Sequence, residues 1–138
     1  MNNSIKKFIF MTTGISAFVL SSGVMAQNNG LTRTIVTKAD VSVAGREAVI
    51  AKVEVAPGAV AAWHTHPGDE MSYVIEGETE LMVAGQPTRL IKTGEGFVIP
   101  AGIVHSAKNT GSVTAKLAGV YVVEKGKPLA SPAPAPAP

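Results

Sequence analysis

Three histidines and one glutamate, grouped in two short segments, are the residues of this chain best suited to chemistry. His64 and His66 flank a single threonine, Glu70 follows them closely, and His105 lies in the second segment. The sequence holds 3 histidines in all. Three imidazoles and one carboxylate are ligands that a divalent transition metal takes while keeping coordination positions open. The spacing therefore predicts a metal site formed by His64, His66, Glu70 and His105, if the fold brings them together.

Short β-strands are the elements that must position these residues. In segment 47–56, Val49, Ala51, Val53 and Val55 alternate with residues of the other face, which is typical of a half-buried strand. Glycine and proline turn signals then recur along the chain, and no stretch keeps a helical period. Many short strands between regular turns favour an all-β sandwich or barrel.

Strand parity indicates how the four residues could meet. His64 and His66 would project from the same side of one strand, because side chains two residues apart share a face. The turn at 67–69 would reverse the chain, and pairing of the next strand would place Glu70 beside the two histidines. His105 would arrive from a third strand.

Parity also predicts the surroundings of the site. Tyr73 has the opposite parity to Glu70 and is expected on the outer face. Trp63 is interpreted as rim packing or a dimer contact in preference to a cap on the barrel mouth. We expect no further His, Lys, Asp or Glu to point inward, and this disfavours chemistry that needs a separate positioned base.

Length and composition restrict the class of protein. A chain of 138 residues fits one domain. The net charge of +2 is that of Lys6 and Lys7, so the remaining charges balance and predict no nucleic-acid partner. With 0 cysteines, thiolate zinc sites, iron–sulfur clusters and disulfides are excluded.

The two ends of the chain differ from its middle. Residues 1–26 have the basic start, apolar run and small residues of a signal peptide, which predicts cleavage after Ala26 and a periplasmic or secreted protein with no stable membrane span. An uncleaved membrane anchor is the alternative. Residues 27–124 would form the folded domain. The Pro/Ala-rich tail 125–138 is expected to be an extended spacer that cannot pair into a sheet.

The two histidine segments resemble the signature motifs of the cupin superfamily, G-x5-H-x-H-x3-E-x6-G and G-x5-P-x-G-x2-H-x3-N. Every specified position matches: Gly58, His64, His66, Glu70, Gly77, Gly94, Pro100, Gly102, His105 and Asn109. The resemblance implies a single-domain, double-sheet jelly-roll β-barrel with the metal inside. It also implies that the three histidines and Glu70 are the ligands, that Asn109 is structural and that the protein is a homodimer.

Three functions remain open at this point. The favoured one is a metal-dependent oxygenase or oxidase, dioxygenase-like, that acts on a small molecule. The alternatives are a non-catalytic module that binds a small ligand or a metal, and an isomerase or lyase that uses the metal as a Lewis acid. The ligand types leave the cofactor open among Fe, Mn, Ni, Cu and Zn.

Overall fold

The computed structural model describes residues 30–137, which contain ten β-strands and no helix. The predicted signal peptide and its cleavage position after Ala26 lie outside the described residues. The strands are β1 (Leu31–Asp40), β2 (Arg46–Val55), β3 (Val60–Thr65), β4 (Gly68–Glu76), β5 (Glu78–Val83), β6 (Arg89–Lys92), β7 (Gly96–Ile99), β8 (His105–Lys108), β9 (Ala115–Glu124) and β10 (Ser131–Pro132).

The strands form two antiparallel sheets of five. One has the order β1-β2-β9-β4-β7 and the other β10-β3-β8-β5-β6. Strands that follow each other in sequence often lie in different sheets, so the chain crosses repeatedly between the two layers. The prediction of an all-β, double-sheet jelly roll is confirmed. No hydrogen-bonded ladder closes the two sheets into a continuous barrel within residues 30–137.

The core lies between the sheets and is built from small branched side chains. The predicted inner face of β2 is confirmed, since Val49, Ala51, Val53 and Val55 are all buried. The other fully buried apolar side chains include Val74, Leu81, Ile91, Ile99, Leu117, Tyr121 and Val123. Alternation of buried and exposed positions keeps one face of each sheet available for this core.

The outer face of β4 also follows parity, and one acidic residue, Glu47, lies on the inner face of β2. Tyr73 is 52% exposed, as predicted. Glu47, however, shares the parity of Val49, is buried and pairs with Lys38 at 3.2 Å. The prediction that no other acidic residue points inward is therefore wrong. Glu47 does not line the cavity beside the histidines.

The C-terminal segment corrects a second expectation, because it does pair into a sheet. Ser131 and Pro132 of β10 lie opposite Thr65 and His64 of β3, and the Ala133 amide donates to the Trp63 carbonyl at 2.9 Å. Proline lacks an N–H but is tolerated at a sheet edge, where its nitrogen can face away from the partner strand. The expectation that the segment 125–138 cannot pair into a sheet is therefore wrong for residues 131–132.

The described part of the chain has no helix that is long and apolar enough to cross a membrane.

Candidate metal centre

His64 and His105 come from neighbouring strands of one sheet. They are directly opposite in the ladder between β3 and β8, and their ring centres are 4.2 Å apart. The register of this ladder shifts between Ala61 and His64. Such a bulge inserts one extra residue and resets the parity of the strand. Ala61 and His64 can therefore both face the interior although they are three positions apart.

Glu70 reaches the site from the opposite sheet. It lies on β4, between Ile99 of β7 and Tyr121 of β9, whereas His64 lies on β3 of the facing layer. The expected pairing of the two strands around the 67–69 turn does not occur. His66 lies just past the end of β3, in the connection between the two layers. The tertiary structure thus closes the site across the sandwich and not along one hairpin.

The four predicted side chains nevertheless converge. One ligand atom from each lies within 4.8 Å of the others. The Glu70 Oε2 atom is 2.9 Å from His66 Nε2 and 3.2 Å from His105 Nε2. His66, Glu70 and His105 are buried, and His64 is half-buried. This clustering of titratable groups in the interior needs a compensating partner.

The hydrogen bonds of the imidazoles show which nitrogens are free. Each Nδ1 contacts a backbone carbonyl: His64 with Ala62 at 2.7 Å, His66 with Leu129 at 2.6 Å and His105 with Ile103 at 2.9 Å. In the neutral tautomer Nδ1–H donates to that carbonyl, so the lone pair is on Nε2. The three Nε2 atoms are then all available as ligands.

The His66 Nε2 atom supplies a test of whether a metal fits. It is buried and has no hydrogen-bond partner among residues 30–137, although Glu70 Oε2 is close. In this tautomer both atoms are acceptors, and two acceptors at this distance repel unless a cation or proton lies between them. The donor set of three nitrogens and one carboxylate oxygen therefore fits a divalent transition metal.

Contacts within the cluster hold Glu70 in its charged form. Burial opposes its ionisation, but the contacts with His105 and His66 and the hydrogen bond from Ser72 outweigh burial and lower the pKa of the carboxyl below its ordinary value. The Ser72 hydroxyl donates to the other carboxylate oxygen, Oε1, at 2.6 Å. Burial lowers the pKa of His64 to about 4, and the neighbouring His105, His66 and Arg33 act in the same direction. The cluster is thus an anionic carboxylate beside a neutral imidazole ligand.

These shifts predict that the metal-free protein loses stability in mild acid. His64 ordinarily titrates at 6.5 and titrates near 4 in the folded chain, so the unfolded chain binds more protons between these pH values. The free energy of unfolding should therefore fall as the pH drops from 6.5 towards 4, and Glu70 should extend the loss below 4.5. Urea unfolding of chelator-treated protein across this range measures the slope. In His64→Gln the free energy of unfolding should depend less on pH in the upper part of this range. An equal slope in the variant and the parent would contradict the assignment of this pH dependence to His64.

A residue from the C-terminal segment orients one of the candidate ligands. The Leu129 carbonyl accepts from His66 Nδ1, although 63 positions separate the two residues. Hydrogen bonds of this type fix the tautomer and the ring orientation of a metal-binding histidine. Sequence reasoning missed this role because a backbone carbonyl in a Pro/Ala-rich segment has no sequence signature.

Removal of the C-terminal segment should therefore weaken metal binding. A chain that ends at Lys127 lacks both the Leu129 carbonyl and β10, and its metal affinity should fall by about tenfold to hundredfold. A chain that ends at Ala133 keeps both and is the matched control. Competition with a chromogenic zinc chelator measures the two affinities. Equal affinity in both truncated chains would show that Leu129 does not orient His66.

Two further side chains lie beside the cluster, and sequence reasoning missed one of them, Arg33. The Tyr121 ring lies 4.9 Å from that of His66, and the Arg33 guanidinium carbon lies 5.8 Å from the centre of the Tyr121 ring. Burial raises the pKa of Tyr121 to about 12, with Glu70 acting in the same direction and Arg33 against it. Gly119 makes room for this ring, because a Cβ there would lie only 2.8 Å from the Tyr121 hydroxyl. A glycine inside a strand often marks such a close approach.

The chain belongs to the cupin family. Residues 51–124 match the family described as the cupin domain. The sequence is 39% identical over 77 residues to germin-like protein subfamily 2 member 2 of Arabidopsis thaliana, and the match covers 52% of this chain and 35% of that protein. The chain thus spans about a third of the length of the first curated relatives that it matches. One of these is nectarin-1 of Nicotiana plumbaginifolia, of which the match covers 34%.

Solved structures support the same fold. An uncharacterised protein with a double-stranded β-helix domain from Klebsiella pneumoniae aligns with a TM-score of 0.63 and 23% identity, and covers 86% of this chain and 99% of its own. Oxalate oxidase in complex with the substrate analogue glycolate aligns with a TM-score of 0.57 and 26% identity, and covers 78% of this chain and 58% of its own. Family and site together define a cupin with a cluster suited to a divalent metal.

Proposed function

We propose that this protein is a metal-dependent oxygenase or oxidase that acts on a small molecule. The proposal depends on one observation: one nitrogen of each histidine and one oxygen of Glu70 lie within 4.8 Å of one another, and every Nδ1 contacts a backbone carbonyl. His64, His66, Glu70 and His105 would hold the ion. When bound, the ion would supply redox chemistry or Lewis acidity at coordination positions that the protein leaves open.

The chain itself contributes orientation of Glu70 and a largely apolar wall beside the cluster. Ser72 holds one oxygen of Glu70, so the other oxygen faces the histidines. A cavity of about 30 Å³ borders the cluster, and apolar side chains such as Leu81, Phe97 and Leu117 form much of its wall. This volume holds about two waters. The reacting part of a substrate that enters this cavity must therefore be small.

The similarity to oxalate oxidase supports redox chemistry in particular. That protein is an oxidase by name, its structure contains a substrate analogue, and it is 26% identical to this chain where the two align. We infer a related use of the site here, since the ligand residues that such chemistry needs converge in this chain.

Oxygen consumption tests the proposal directly. Protein loaded separately with Mn, Fe, Ni, Cu or Zn is supplied with a panel of small hydroxy acids, dicarboxylates, phenols and diols in an oxygen-electrode cell. We expect turnover with at least one redox-active metal and none in the zinc form. A matched chain with His64→Ala and His66→Ala should be inactive. No oxygen uptake with any metal and compound would contradict the redox proposal. Turnover of the zinc form without oxygen would assign a lyase or isomerase.

A non-catalytic binding module is the second candidate, favoured by the small volume of the cavity beside the cluster. A site of this size can hold an ion and its waters with no organic ligand. Metal binding that raises the melting temperature, together with no turnover in the same panel, would favour this module.

Export and dimerisation are further parts of the proposal. The sequence of residues 1–26 supports export, and N-terminal sequencing of the protein from its native compartment would locate the cleavage. An apolar row on the outer face of the first sheet supports a homodimer: Ile50 pairs with Val120, Val120 with Met71, and Met71 with Val98. Val98 is 64% exposed. Covering such a row would remove apolar surface from water, and sedimentation velocity would report the mass.

A further inference from the structure

A second, larger cavity adjoins the one beside the cluster. This outer cavity has a volume of about 240 Å³ and is bounded on one side by β10. It shares Leu31, Arg33, Ala61 and His64 with the inner cavity of about 30 Å³. A molecule that extends from the outer cavity to the candidate ligands must therefore pass Arg33 and His64.

Arg33 is the cation at this junction, and it has hydrogen-bonding capacity to spare. Its Nε atom is buried and has no hydrogen-bond partner among residues 30–137. The ion pairs found within that range do not include it. A guanidinium carries five N–H donors in one plane, and a buried donor without an acceptor is costly.

The contact with Tyr121 does not satisfy the Nε donor. The guanidinium carbon lies 5.8 Å from the ring centre, a distance compatible with a cation–π contact. Such a contact supplies no acceptor to Nε, which stays without a hydrogen-bond partner among residues 30–137. The residue could be a packing element only, but packing alone does not account for the unpaired Nε.

The acidic group of the inner cavity is already engaged. Glu70 accepts from Ser72 at 2.6 Å and faces His66 and His105 with its other oxygen. With a divalent ion at the cluster, one carboxylate cannot balance both the ion and Arg33. An anionic ligand would offset part of the remaining positive charge, and a carboxylate matches the planar fork of a guanidinium.

We propose that Arg33 binds the carboxylate of a small organic acid whose other polar end reaches the metal. This inference rests on the proposed metal site and extends it by naming the substrate class and the residue that selects it. Arg33 lies on β1, outside the family match at residues 51–124. The specificity would therefore belong to this chain's own N-terminal strand. The two cavities limit the acid to a few carbon atoms, since both are smaller than pockets for drug-sized ligands.

The test compares a small acid with its neutral amide. Zinc-loaded, ¹⁵N-labelled protein is titrated with glycolate and with glycolamide, which differ in charge and hardly in size, while the arginine Nε–H signals are followed by NMR. Arg33→Lys identifies the Arg33 signal by its loss. We expect glycolate to shift that signal and to bind at least about tenfold more tightly than glycolamide, as a charge-assisted hydrogen bond implies.

Substitution separates recognition by Arg33 from recognition by the metal alone. Arg33→Gln should keep its zinc and lose most of the preference for glycolate, whereas Arg33→Lys should keep part of that preference. Arg89→Gln, on the exposed strand β6, should bind glycolate as tightly as the parent chain.

Equal glycolate affinity in Arg33→Gln and the parent, or an Arg33 signal that does not move, would overturn the inference and leave the metal site standing. Selective glycolate binding without oxygen uptake in any metal form would support the inference and overturn the redox proposal. If the parent chain itself failed to retain zinc, the metal site on which this inference and the redox proposal both rest would be overturned.

Discussion

Replacement of both His64 and His66 by alanine is expected to abolish metal binding. Two of the four converging ligands are then lost, and the remaining Glu70 and His105 lie in different sheets. Two ligands seldom hold a transition metal against chelators in solution, whereas three or four hold it tightly. Elemental analysis of protein purified from its native compartment should show about one metal per chain in the parent and almost none in the variant, as a four-ligand site implies.

The control for this experiment lies between the two histidines. Thr65 belongs to the same strand but is not one of the converging residues, so Thr65→Ala should retain its metal. Circular dichroism should show the same β-sheet signal in all three proteins, because neither histidine belongs to the apolar core. Unchanged metal content in the double variant would rule out the site assignment.

Asn109 is expected to have a large effect on stability, although it lies outside the metal cluster. The side chain is fully buried and joins three backbone groups: its Nδ2 donates to the Val55 carbonyl at 2.8 Å and the Val113 carbonyl at 2.7 Å, and its Oδ1 accepts from the Gly111 amide at 2.9 Å. Asn109→Ala removes all three bonds, and the free energy of unfolding should fall by about 3 kcal/mol, because each buried group left unpaired costs about 1 kcal/mol or more.

Urea unfolding measures this loss, with Thr110→Ala as the neighbouring control. Thr110 is exposed, so its substitution should change the free energy of unfolding by no more than about 0.5 kcal/mol. The zinc content of folded Asn109→Ala should stay normal, since the residue does not touch the ligands. A loss of under about 1 kcal/mol would show that water or the loop replaces these bonds.

Local patterns predicted the strands and most of the side-chain directions correctly. The alternation in β2 placed Val49 to Val55 inside, and the opposite parity of Tyr73 placed it outside. The glycine turn signals were also interpreted correctly, since Gly58 and Gly102 both adopt a positive φ that favours glycine. These features succeed because they depend on a few neighbouring residues and on the period of the strand.

The errors arose where a distant segment decided the outcome. The hairpin expected around residues 67–69 is instead a crossing between sheets, because β4 pairs with β7 and β9. Glu47 turned out to be buried because Lys38 of the adjacent strand supplies a counter-charge. The C-terminal segment became an edge strand because β3 offers it an unpaired edge.

The sequence by itself determined the ligand types, their two segments and the alternating strands that carry them. Only the tertiary structure decided that Glu70 faces the histidines from the opposite sheet, that Leu129 orients His66, and that Arg33 stands at the entrance with an unpaired donor. The physical reason is the range of the interactions. Periodicity and turns are set by the backbone of adjacent residues, whereas the site is completed by hydrogen bonds and contacts between segments that are distant in the chain.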